Sequence, residues 1–115
     1  RILPTAPDSA FEWLRRLRLR LGPASFDYLS LENELYVSLL DRGQAVLLRY
    51  LRGEREPQQS SDFEDGAQHF EAAQQIAPYA WAVQSRELFC RGRVLIFHRR
   101  YAEAVTVLER AARLD

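Results

Sequence analysis

"LFCRGRVLIFHRRYAEAVTVLERAARLD", residues 88–115, decides the fold class. Leu88, Gly92 and Leu95, and then Ala104, Leu108 and Ala111, recur at steps of four and three, the period at which helical side chains share a face. The polar stretch His98–Arg100 separates the two sets, which predicts one helix over roughly 80–98 and another over roughly 101–114. Gly92, Ala104 and Ala111 are small enough to let the two helices approach closely. Tyr101 opens the second helix and is expected to pack back on the pair. Glu109 and Arg113 are spaced as an i,i+4 ion pair on its outer side.

Working toward the N-terminus, Pro78 must end a further helix, on which Phe63, Phe70, Ala73 and Ile76 mark the apolar face. Ser61 and Glu64 stand at capping-box spacing at its start. "GEREPQQSSD", residues 53–62, is polar, contains Pro57 and lacks periodicity, so it reads as a loop. Residues 26–40, "FDYLSLENELYVSLL", predict a helix starting near Ser25 or Asp27. "DRGQ" at 41–44 can serve as a turn before a short helix, "AVLLRYLRG", ending at Gly53, and the pattern leaves open whether that turn breaks the helix. Farther back, "DSAFEWLRRLRLRLGP" offers Asp8 or Ser9 as N-cap, Ser9 with Glu12 at capping-box spacing, and Gly22-Pro23 as a stop. Its "RLRLRL" alternates as a strand would, but Ala10, Leu14, Leu17 and Leu21 fall on one helical face, so a helix over 9–21 is expected. The class is all-α.

At 115 residues and 47% hydrophobic, the chain suits one small domain. Sixteen basic residues, every one Arg, balance sixteen acidic ones, so no global field draws nucleic acid or anionic lipid, and such binding would have to be local. Cys90 is the single cysteine and cannot form an internal disulfide; a reducing, cytoplasmic setting is the expectation. No apolar run approaches the roughly eighteen residues of a membrane span, and no signal-peptide pattern is present. The chain begins at Arg1 and contains no Met, from which we expect a piece of a longer protein.

Residues 85–115 resemble the tetratricopeptide repeat, a two-helix unit of about 34 residues with small residues where its helices cross. Leu88, Gly92 and Leu95 carry the resemblance on the first helix, and Ala104, Leu108 and Ala111 on the second. An earlier match places Gly66, Phe70, Ala73 and Pro78 on a second helix. The glycine and aromatic places of its own first helix fall at Glu54 and Pro57, unless residues 31–52 serve, with an insertion. The resemblance implies antiparallel helical hairpins in a right-handed α–α superhelix, with N-terminal helices over 8–52, a loop over 53–61 and repeats over 62–115. It also implies a protein-interaction or assembly module, whose first helices line a concave groove for an extended peptide or a partner's helix. Carried over position by position, the groove residues are Arg86, Phe89, Arg93, Ile96 and Phe97. The two Arg could clamp a carboxylate or an acidic segment. The plainer alternative is that the three apolar residues pack on a neighbouring helix while both Arg are solvated. The competing role is a regulatory helical domain of a larger multidomain enzyme or transcription regulator. The repeat register also implies a Pro directly after Asp115 in a parent chain. It leaves Val105, Leu108 and Ala112 on a side that a next unit would cover, which makes self-association through the last helix an expectation.

Arg15, Arg16, Arg18 and Arg20 beside Trp13 form a basic cluster partly offset by Asp8 and Glu12, and read as a solvated helix face with the leucines in the core. His69 and His98 lack partners at a metal-binding spacing, and Cys90 on an apolar helix reads as a core residue rather than a nucleophile. "DFEDG", residues 62–66, lacks the remaining ligands of a calcium loop. Neither a phosphate-cradling glycine loop nor a nucleophile elbow occurs. No enzymatic activity, cofactor, metal or nucleic-acid partner is therefore expected.

Overall fold

The computed structural model describes residues 2–4, 9–53 and 58–114. Among them are five helices and no strand: α1 (Ala10–Leu21), α2 (Phe26–Arg52), α3 (Ser60–Ile76), α4 (Trp81–Phe97) and α5 (Tyr101–Leu114). Ser9 caps α1 as its spacing to Glu12 implies, its Oγ accepting the Glu12 N–H at 3.2 Å. Asp8, the other cap candidate, and Glu54 and Pro57 lie outside the described residues.

α2 runs without a break through the "DRGQ" stretch. Gly43 is buried in mid-helix because Phe70 of α3 presses on it: a Cβ there would lie 2.7–2.8 Å from three ring carbons. The glycine serves contact, not a turn. α3 starts earlier than Ser61 and Glu64 suggest, with the Gln59 N–H donating to Asp62 Oδ2 at 2.7 Å, so Ser60 and Ser61 are helical and not loop. Ala77 ends it ahead of Pro78. Between α4 and α5 the chain reverses at Arg99, whose φ of 61° lets the Arg100 N–H donate to the Leu95 carbonyl at 2.9 Å.

Each helix packs chiefly on its neighbours in the chain. Contact partners run in opposite directions along successive helices: Gly43 meets Phe70, Val46 approaches Gly66, and Tyr50 meets Phe63. The same order joins α3 to α4 and α4 to α5, which makes each pair an antiparallel hairpin. Leu39, Phe63, Phe70 and Cys90 fill the centre. At the α4–α5 crossing, Gly92 faces Leu108, and Ala104 and Ala111 are buried as expected. Tyr101, expected to pack back on the pair, is exposed instead, and Glu109 and Arg113 form no ion pair. Stacking without closure gives an elongated body of 47 × 29 × 23 Å.

Candidate functional site

α4 is the central element, and its rotation is held from both flanks. Toward α3, Arg91 donates to Glu71 at 2.7 Å and Gln74 donates to Glu87 at 2.6 Å, with Arg91 also donating to Glu87 within α4 at 2.5 Å. Toward α5, the buried Ser85 hydroxyl donates to the Ala111 carbonyl at 2.7 Å. Between those two contacts lies the arc of α4 bearing Arg86, Phe89, Arg93, Ile96 and Phe97.

That arc divides into two environments. At the Arg86 end a cavity of about 650 Å³ opens between α2, α4 and α5, walled by Leu47, Tyr50 and Leu51, by Arg86 and Phe89, and by Leu108 and Ala112. The walls are mostly apolar, and Arg86 has no carboxylate within ion-pair distance among the described residues. A cavity of about 610 Å³ between α2 and α3 differs in kind, since Asp62, one of its acidic residues, already faces Arg49 at 3.6 Å. The first cavity is therefore the better binding candidate: apolar wall supplies affinity and one uncommitted cation supplies orientation.

Farther along the arc, Arg93 lies 4.9 Å from the Tyr50 ring centre and 5.6 Å from that of Phe63. Tyr50 packs on Phe89 at 5.5 Å and Phe63 on Phe97 at 6.0 Å, so α4's aromatics join α2 to the start of α3. Arg93 Nε is buried with no hydrogen-bond partner. Of the five residues assigned to a groove, Arg86 and Phe89 line the cavity. Arg93 and Phe97 belong to the aromatic cluster, and Ile96 is half-buried on the same side. No family model, curated protein or solved structure matches this chain.

Leu47, Tyr50 and Leu51 were absent from the residues singled out by sequence. The dense apolar run "AVLLRYLRG", 45–53, was their signal, but it showed only that α2 is apolar there and not which helix it would face. Cys90 is fully buried against Gly66, in keeping with a core role. No group of three His, Cys, Asp or Glu residues among those described could hold a metal ion. No helix there is long and apolar enough to cross a membrane.

Proposed function

We propose that the chain is a protein-interaction module of tetratricopeptide-like hairpins, whose cavity between α2, α4 and α5 receives an extended peptide or a partner's helix. The observation that carries this is the pairing of an open apolar cavity with the uncommitted charge of Arg86 at its wall. Antiparallel neighbours stacked along one direction also support it, because such arrays leave a long face free for a ligand. The preferred ligand has apolar side chains for the wall formed by Leu47, Phe89 and Leu108, and a carboxylate for Arg86. Exposed Val105 on α5 extends the apolar surface from Ala112 at the cavity wall, and this side of α5 is where self-association would occur.

Selection from a random peptide library on the immobilised protein tests the reading. Apolar sequences with an acidic residue should be enriched, and Arg86→Glu should weaken them by about 2 kcal/mol, roughly thirtyfold. Equal binding to Arg86→Glu protein, or enrichment of basic peptides, would sink it.

A further inference from the structure

Residues 13–26 hold four arginines and no acidic residue. They sit at one end of the helical array, where α1 packs chiefly on α2 and its remaining sides meet solvent. The leucines of "RLRLRL" were expected in the core, yet Leu19 is 84% exposed and Phe26, just past the turn, is 83% exposed. Leu21 and Trp13 are also exposed, but at the edges of the opposite side, the one through which Leu14 is buried. The cause is geometric: residues two apart on a helix stand about 200° apart, so Leu17 and Leu19 cannot share a buried side. Leu19 projects outward between Arg15 on one flank and Arg16 on the other.

The charges around this apolar tip are partly uncommitted. Glu12 faces Arg15 at 2.7 Å and Arg16 at 3.6 Å, and the Arg16 guanidinium also lies 5.2 Å from the Trp13 ring centre. Arg18 and Arg20 have no carboxylate within ion-pair distance among the described residues. Leu19 thus stands exposed among cations whose long stems can reach outward, with Phe26 exposed just past the turn.

We propose that this end of the molecule is a peripheral membrane anchor. Leu19 and Phe26 enter the headgroup boundary of a bilayer, and Arg15, Arg16, Arg18 and Arg20 engage anionic phospholipid headgroups. A phosphate backbone of RNA or DNA would satisfy the arginines but leave Leu19 and Phe26 in water, whereas a bilayer interface accommodates both. With no net charge on the chain, attraction by this tip is local and falls off within a Debye length, so it is sensitive to salt. The proposal stands independently of the cavity between α2, α4 and α5.

Co-sedimentation of the full chain with vesicles tests it, using phosphatidylcholine alone and phosphatidylcholine mixed with phosphatidylserine. Binding is expected on the mixed vesicles and should decline as salt rises. Arg18→Gln/Arg20→Gln should weaken partitioning roughly 25-fold, about fivefold per charge. Leu19→Ser/Phe26→Ser should weaken it by roughly tenfold. Both pairs lie on the surface, and far-UV circular dichroism checks that the helices persist. Sedimentation indifferent to lipid charge or undiminished binding by folded variants overturns the proposal. So does tight binding to RNA or DNA by a protein that ignores vesicles.

Discussion

Gly43 shows how one residue can be read correctly as special and for the wrong reason. Glycine in "DRGQ" suggests a turn, but its missing Cβ makes room for the fully buried Phe70 ring. Gly43→Ala should gain about 1 kcal/mol of helix propensity and lose more to the clash, for a net loss of about 1–2 kcal/mol in urea unfolding. A stabilised protein would show that Phe70 has room to move. Cys90 supplies a pH-dependent test. Burial, with Glu87 adding to it and Arg91 opposing, pushes the thiol from 9.0 up to about 12. The unfolded chain loses that proton near pH 9 while the folded chain keeps it up to about 12, so stability falls as pH rises across this window. The fall above pH 9 should be steeper in the unsubstituted protein than in Cys90→Ala, by comparison of unfolding midpoints.

At the scale of elements, helix existence was legible because apolar period, caps and breakers are local. Ser9 and Gly22 bound α1, Gly53 ends α2, and α4 and α5 lie within a residue or so of their expected limits. The start of α3 was misplaced because several polar side chains in "QQSSDFED" can cap, and Asp62 reached Gln59 before Glu64 could serve Ser61. Elements also differ in support. α3 is packed between α2 and α4, whereas α1 leans on α2 and leaves Leu19 outside. Hydrogen exchange should therefore open α1 first and α3 last, and comparable protection in the two helices would contradict this ordering of local stability.

For the whole molecule, stacking of neighbouring hairpins makes the chain longer than a compact globule. Its radius of gyration is 15.7 Å, against about 13–14 Å for a compact chain of this length. Small-angle scattering from the chromatographically isolated monomer should give a value nearer the larger figure, and a value at the compact limit would indicate that the array folds back on itself. The candidate cavity belongs to this scale as well. Arg86 and Phe89 could be picked out from one helix and its repeat register, but Leu47, Tyr50 and Leu51 join them only because the C-terminal end of α2 reaches α4, although all of α3 separates the two in the chain.

The sequence by itself determined the all-α class, the helical regions apart from whether one helix or two cover 26–52, and the close α4–α5 crossing at Gly92, Ala104 and Ala111, since periodicity, capping and residue size act within a few turns. Tertiary structure alone decided that Gly43 receives a ring, that Arg93 rests on Tyr50 and Phe63, and that Leu19 faces water. Those outcomes depend on which helix lies over a residue, a property set by packing between segments far apart in the chain and carried by no local pattern.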